Sequence, residues 1–395
     1  MKKVIVGLSG GVDSSVSALL LKEQGYEVIG LFMKNWHDES LTISNDCPWL
    51  EDSNDAMLVA NKLNIPFQTI DLSKEYQSRI INYMFDEYKM GKTPNPDILC
   101  NREIKFDIFL KLALNLGADY VATGHYCQVE SFDKKNKKIY RLLSGDDHLK
   151  DQSYFLCQLT QKQLSKVIFP IGKLTKKEVR EIAKKNDLIT AEKKDSQGLC
   201  FVGKVKLPDF LKQKLIPKKG KVIKVDNNYI IAEKEESDFE SNKSYLEFLC
   251  SPRNFSETDG ECIGYHNGAF FYTVGQRKGL DIGGFKDPLF VLKKDIDKNI
   301  LYVGMGSDHP ALFKKALFIS KKDIHWVRND LTIQPNQRME VYFRVRYRQP
   351  LEKGKIFMYK SGLFILFERP ISSIASGQFA SWYIENELIG SGVIS

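Results

Sequence analysis

The sequence predicts an α/β plus β chain: an N-terminal doubly wound parallel sheet followed by two small β-barrel-like domains. Three observations carry this. An apolar, strand-forming run, Val4-Ile5-Val6, enters a glycine turn and then a helical pattern. From there to Thr123, strand-like and helical runs alternate, the rhythm of crossover units on a parallel sheet. Past Pro217, short β-rich runs with glycines between them replace helical periodicity.

The opening turn reads Gly7-Leu8-Ser9-Gly10-Gly11-Val12-Asp13-Ser14, and helical spacing resumes at Val16, Leu19 and Leu20. Gly10 and Gly11 let the backbone bend and approach a ligand, Ser9, Ser14 and Ser15 add hydroxyl donors, and the first amides of the helix favour an anion. Phosphate is the expected guest. The lysine of a GxxxxGK[ST] loop is missing; Gly91-Lys92-Thr93 has Asp86 where that motif needs its first glycine. The spacing is not GxGxxG either.

Glu27 to Met33 reads as the second strand, with Met33 at its carboxyl end, the edge where ligands lie in open α/β sheets. A polar loop with Asn35, His37, Asp46 and Cys47 leads to a helix from Asp52 to Leu63, a strand from Phe67 to Leu72 and a helix from Glu75 to Tyr88. Pro94 and Pro96 then predict a stiff loop from Gly91 to Asn101 that presents Asp97 and Cys100. A helix from Arg102 to Leu116 and a strand from Tyr120 to Thr123 follow, ending at Gly124-His125-Tyr126. Helical segments are expected at Gln161 to Leu164 and Lys176 to Asn186. Strands are expected at Phe270 to Val274, Leu289 to Leu292, Ile300 to Val303, Glu340 to Tyr347 and Leu363 to Phe367, with no further long helix after Pro217. The expected domains are 1–205, 206–284 and 285–395. An acidic stretch within 226–262 (Glu233, Glu235, Glu236, Asp238, Glu240) reads as a surface insertion.

A net charge of +8, from 58 basic and 50 acidic side chains over 395 residues, leans toward a polyanionic partner. Neither a secretory leader pattern nor an apolar run of bilayer length is apparent, so the expectation is cytoplasmic, without membrane association. The seven cysteines form no CxxC pair, which argues against a disulfide framework and a structural zinc; no resident metal is expected.

The string SGGxDS resembles the signature of the PP-loop ATP pyrophosphatases. Met33, Asn95-Pro96-Asp97 with Cys100, Thr123 to Tyr126, Lys150-Asp151-Gln152, Asp195 to Phe201, Tyr272 to Leu280 and Arg346-Tyr347 follow in an order that resembles one of its branches, the tRNA-specific 2-thiouridylase family. The resemblance implies that Gly7, Leu8, Ser9, Gly10, Gly11, Val12, Asp13 and Ser14 hold the phosphates of ATP, taken with Mg2+, while Met33 and Gly124 touch its adenosine part. It implies that Asn95, Pro96 and Asp97 meet the target base and that Lys150, Asp151, Gln152, Arg346 and Tyr347 touch tRNA. Cys100 would be the nucleophile, Cys200 the persulfide carrier and Asp97 a proton-transfer group. The implied partners are tRNA and a persulfide sulfur-donor or relay protein of a cysteine desulfurase system.

The chemistry of the residues agrees. A uridine carbonyl is a poor electrophile, so its oxygen must first become a leaving group, and adenylation makes that group AMP. A cysteine cannot donate a sulfur bonded to its own Cβ, so the donor is the terminal sulfur of a persulfide, which gives two cysteines distinct tasks. As a polar-loop residue Cys100 is read as accessible, with Arg102 and the helix start beside it favouring the thiolate. For Cys200 the surroundings leave a structural and a reactive thiol equally open. His125 is read as a hydrogen-bonded loop residue. Arg344, Arg346 and Arg348 alternate with Phe343, Val345 and Tyr347, which on a strand puts three guanidinium groups on one face, suited to a phosphate backbone. Two other readings stand beside this one. One is a PP-loop ligase that joins an adenylated group to an amine and needs no cysteine pair; the other is an RNA-binding or sulfur-relay protein without turnover.

Overall fold

The computed structural model describes residues 1–35, 48–194, 207–228 and 234–395. Strands β1 (Lys3–Gly7), β2 (Glu27–Lys34), β3 (Phe67–Asp71) and β4 (Tyr120–Ala122) lie in one sheet. A hairpin of β5 (Cys127–Lys134) and β6 (Lys137–Ser144) leaves that sheet, and β7 (Val167–Ile168) returns to it. The sheet order is β3-β2-β1-β4-β7 with every pair parallel. Alternation along β1 explains the two layers of helices. Val4 and Val6 join a core with Val16, Leu19, Ala56 and Val59, from the helices Val12–Glu23 and Pro48–Lys62. Ile5 faces the opposite core with Ile80, Met84, Ile104 and Phe109. Because β1 is buried on both faces it reads as an unbroken apolar run.

The second layer holds a continuous helical run, Ser73–Tyr76, Gln77–Ile81 and Asn82–Lys89, with a π-helical middle. The segment expected as a stiff loop up to Asn101 is instead helical from Pro96. Pro96–Cys100 is an α-helix that runs on through a π-helical stretch, Asn101–Phe109, into Leu110–Asn115. Asn95 caps it, its side chain accepting the Ile98 amide at 3.2 Å, and Pro96 at the first helical position gives up an amide that would have no partner there.

Strands β8 (Gly220–Val225), β9 (Gly260–His266), β10 (Leu289–Asp295) and β11 (Ile300–Met305) form a second sheet ordered β10-β11-β8-β9. A division at 284/285 would separate β10 and β11 from the strand that β11 pairs with in parallel, Ile300↔Lys221 to Val303↔Lys224. The run expected as a strand at Phe270 to Val274 begins with a 3-10 turn, Ala269–Phe271, that packs beneath this sheet. Lys294 on β10 is half-buried and donates to the Tyr272 carbonyl at 2.7 Å; desolvation of its ammonium pulls its pKa down to about 8. Between about pH 8 and 10.5 the unfolded chain therefore holds a proton that the folded chain has released, and stability rises with pH. Lys294→Met is expected to flatten that rise; denaturant midpoints taken across the window in both proteins check it, and equal slopes would refute it.

The last six strands close on themselves: β12 (Phe313–Trp326), β13 (Arg338–Arg344), β14 (Glu352–Met358), β15 (Gly362–Ser372), β16 (Phe379–Ile384) and β17 (Glu387–Ile394). Their order is β12-β15-β14-β13-β16-β17, and β12 also pairs with β17. Ile319, Phe343, Ile365, Ala380 and Trp382 fill the interior. The β5–β6 hairpin adds to this barrel, not to its own sheet, through Leu143↔Glu387 and Leu142↔Leu388. Glu387 is buried there between Arg141, at 2.7 Å, and Arg328. The stretch expected as a surface insertion contains a nine-residue helix, Asn242–Cys250. Its Leu246 is fully buried against Phe357 and Phe364 on the barrel's outer face, so it is a packed element.

Candidate active site

The strand order reverses direction at β1, between β2 and β4, and the crevice at the carboxyl ends of these strands is where a sheet of this topology receives a ligand. Three expected groups converge there. The loop Gly7 to Ser14 leaves β1; Met33 at the end of β2 lies where a Gly7 side chain would touch its Cε at 3.4 Å; and Gly124, just after β4, abuts Asp13 and Ser14, with a Cβ added to it falling 2.6–2.9 Å from them. Gly10 has φ +71°, and a side chain there would meet the Asp52 carbonyl at 2.1 Å, so both conformation and space require glycine. Gly11 is different: an added Cβ would meet Ser9 Oγ at 3.5 Å and nothing else within contact, which leaves its face open. The serines are turned inward. Ser14 Oγ donates to the Gly11 carbonyl at 3.1 Å and accepts the Ser9 amide at 3.1 Å, and Ser15 Oγ donates to the same carbonyl at 2.8 Å. The expected Ser14 and Ser15 donors thus brace the turn, and the first-turn amides of the Val12–Glu23 helix, which have no acceptor within the helix, carry the anion-binding capacity.

Asp13 is the charged group of the loop. Tyr126 donates to its Oδ1 at 2.7 Å, and Lys176 Nζ lies 2.8 Å from both carboxylate oxygens. Lys176 was not singled out by sequence; it opens the helix Lys176–Lys185, and a lysine in the first turn, where the helix dipole disfavours it, is the signal that could have found it. Asn35, at the end of β2, is buried with neither amide atom hydrogen-bonded. His125 bonds Thr123 Oγ1 at 2.6 Å among Phe106 and Phe169; burial, then the nearby Lys105 charge, holds the imidazole well below its ordinary pKa and therefore neutral, a structural role as expected.

A second group gathers where the three parts of the chain meet, around a pocket of about 310 Å³ lined by Asn95, Thr273, Gln276, Arg346, Tyr347 and Gln378, among others. Asn95 Nδ2 donates to Gln378 at 3.3 Å, Thr93 bonds Thr273 at 3.3 Å, and the Thr93 amide donates to the Ser376 carbonyl at 2.8 Å. Gly377, at φ +90°, comes so close that a Cβ would sit 2.9 Å from the Thr93 nitrogen. Asp97 stands in the first turn of the helix that Asn95 caps, and Cys100 ends that helix, fully buried among Ile98, Leu99 and Ile104. Polar-loop exposure of Cys100 is thus corrected. Arg102 is engaged with Glu103 at 2.8 Å and Gln158 at 3.2 Å, and the helix starts at Pro96, so Cys100 stands at the carboxyl end of that helix and not beside a helix start as the sequence placed it.

The arginine stripe is also corrected. β13 ends at Arg344, and the chain turns there. Arg344 is buried against Asp151, beneath the Tyr383 ring at 4.9 Å, while Arg346 is exposed at the pocket and donates to the Ser373 carbonyl at 2.6 Å. Asp151 is buried too, and its carboxylate accepts Gly145 and Ser153 amides at 3.2 and 3.0 Å and the Ser153 hydroxyl at 3.1 Å. Gln152 accepts the Tyr126 amide at 3.0 Å, and Tyr347 donates to the Lys150 carbonyl at 3.2 Å; burial pushes its phenol up to about 12, which keeps the proton that makes this bond. Cys200, with the rest of Asp195 to Phe201, lies outside the described residues. Among the described residues no cluster of three or more His, Cys, Asp or Glu could hold a metal, and no helix is long and apolar enough to cross a membrane.

A parallel sheet with a glycine-serine-aspartate loop at its switch point, joined to two β units, defines a protein of the PP-loop nucleotide-binding class. Residues 2–204 match the family model described as tRNA methyl transferase HUP domain, 243–305 the tRNA methyl transferase PRC-barrel domain, and 317–394 the aminomethyltransferase beta-barrel domain. The tRNA-specific 2-thiouridylase of Flavobacterium johnsoniae is 60% identical over 395 residues, the whole of both chains. That of Christiangramia forsetii is 59% identical over the whole of both, and that of Bacillus subtilis 44% identical over 99% of this chain and 94% of its own. The chain belongs to the tRNA-specific 2-thiouridylase family.

Proposed function

We propose that this protein performs the ATP-dependent 2-thiolation of the wobble uridine of tRNA, in the cytoplasm, giving 2-thiouridine, AMP and pyrophosphate. The observation that carries this reading is full-length identity of 60% to a relative named for the activity. The site fits it: the open face of Gly11 and the first-turn amides form a cradle for phosphates, and Asp13 offers the single carboxylate with which a protein commonly helps hold Mg2+ already bound to a nucleotide. Bound ATP supplies the adenylyl group that turns the uridine C2 oxygen into a leaving group. Met33 and Gly124 meet the adenosine part; Asn95, which lines the pocket, meets the base together with Pro96 and Asp97, and Asp97 moves its proton; Arg346 and Tyr347 at the pocket, and Lys150, whose carbonyl Tyr347 bonds, touch tRNA. Asp151 and Gln152 act indirectly, as positioning residues: Asp151 holds the buried Arg344, and Gln152 accepts the Tyr126 amide. Cys200 carries the persulfide received from a cysteine desulfurase-type donor. The Cys100 thiolate bonds to the inner sulfur, Cys200 Sγ, as the persulfide S–S bond breaks; the terminal sulfur leaves at the sulfide level and bonds to C2 as the C2–O bond to AMP breaks, and a thiol reductant then reduces the Cys100–Cys200 disulfide. Thiolation is favoured over the methyl transfer in the family descriptions because the full-length relatives are named for thiolation. Incubating the protein with unmodified tRNA, Mg-ATP and a persulfide source should replace one oxygen by sulfur at the wobble uridine, read by nucleoside mass analysis. Formation of AMP and pyrophosphate with an amine joined and no sulfur gained would favour the ligase reading instead.

A further inference from the structure

The phosphate loop poses an electrostatic problem that its own residues do not solve. It lacks the lysine that a GxxxxGK[ST] loop carries and places a carboxylate, Asp13, in the helical turn whose amides receive the anion. A negative side chain beside a polyphosphate repels it unless a cation lies between them or next to both. Such a cation is present. Lys176 reaches in from another helix, with Nζ 2.8 Å from both Asp13 oxygens, and lies over the Tyr126 ring at 5.9 Å. Its side chain is 14% exposed and that of Asp13 31%, so the pair is at the mouth of the loop and not in the core.

The placement of Lys176 is costly. It is the first residue of the ten-residue helix Lys176–Lys185, directly after the Thr175 cap, where a positive charge opposes the helix dipole. Its backbone amide is already taken by the Asp147 carboxylate at 2.9 Å, and Thr175 with Glu178 completes a capping box, so the helix start is secured without this side chain. A local rule broken where nothing structural at the helix end requires it points to the group that the side chain reaches.

We propose that Lys176 is the loop's missing lysine: a pyrophosphate-binding cation, held by Asp13 until a polyphosphate arrives. An ammonium group that touches Asp13 stands at the same helical turn as the phosphate-receiving amides. Asp13 keeps that charge in place and Tyr126 fixes the carboxylate. Asp13 would hold magnesium that is bound to a nucleotide, and Lys176, released from Asp13, would turn its ammonium to the β and γ phosphates. The assignment rests on the nucleotide reading above and adds which part of the nucleotide Lys176 recognises.

Calorimetric titration of the full chain with ATP, inorganic pyrophosphate and AMP, each with magnesium and with chelator, tests it. Lys176→Gln is expected to weaken ATP and pyrophosphate by about tenfold or more while AMP changes less than about twofold, and Lys176→Arg to restore most of the loss. Asp13→Asn, which releases Lys176, is expected to tighten pyrophosphate binding in chelator by severalfold. Thermal melts confirm that each variant is folded. Unchanged pyrophosphate affinity in folded Lys176→Gln, an equal loss for AMP, or weaker pyrophosphate binding by Asp13→Asn in chelator would overturn the proposal and leave Lys176 as a strut for Asp13. A wild-type chain that binds none of the three ligands would overturn the nucleotide reading itself, a separate result.

Discussion

Cys100→Ser is expected to abolish sulfur transfer, by roughly 10³-fold or more, while tRNA-dependent release of pyrophosphate continues. Serine cannot take the inner sulfur of a persulfide, whereas the adenylation step depends on the loop after β1 and not on the thiol. The substitution places a hydroxyl, more costly to desolvate than a thiol, at a fully buried position in the core shared with Ile98, Leu99 and Ile104. Cys100→Ala avoids that cost and serves as the companion variant. Both are assayed for sulfur gain by nucleoside mass analysis and for pyrophosphate release in the same reactions. Sulfur gain persisting in either folded variant would remove Cys100 from the chemistry; loss of both signals together would place it in tRNA or nucleotide binding instead.

Asp151→Ala is expected to destabilise the protein by about 3–5 kcal/mol, the cost of leaving a buried guanidinium without its carboxylate. Asp151 and Arg344 have side chains only 5% and 8% exposed, and Asp151 also gathers the Gly145 amide and both the amide and hydroxyl of Ser153. Arg344→Ala strands the carboxylate in turn, so the double variant should lose less than the sum of the two single ones. Denaturant unfolding of the three variants measures this. A loss below about 1 kcal/mol for Asp151→Ala would mean that water or a rearranged loop replaces the pair, and would restore Asp151 as a direct tRNA-contacting group.

The first strand, its glycine turn and the helix after it were legible in the sequence because every signal is local: an apolar run, two residues without Cβ, then helical spacing. Asn95-Pro96-Asp97 was misread because proline marks both stiff loops and helix starts. The distinguishing pattern, a capping side chain before the proline and an acid after it, is present but was not read, because a second proline two residues earlier marked the stretch as a loop. The Arg344 to Arg348 alternation has the spacing of a pleated strand, but the strand stops at Arg344, and neither that end nor the contact of Arg344 with Asp151, nearly two hundred residues away, has a local signature. Lys176 beside Asp13 and β6 beside β17 are long-range pairings with no periodic signature at all. The helix that follows the acidic residues has its own apolar run, Tyr245, Leu246, Phe248 and Leu249, but nothing local tells that Leu246 is buried against Phe357 and Phe364 more than a hundred residues away.

β17 borders β12, β16 and β6. During synthesis on the ribosome, the hairpin of β5 and β6 emerges more than two hundred residues before the strand that covers its edge, and the open faces of β12 and β16 wait for that same segment. Three exposed strand edges in a nascent chain are templates for pairing with other chains, so the period before Glu387–Ile394 appears is when aggregation is the greatest hazard. Shortening the gene by those few codons would hold every molecule permanently in that state.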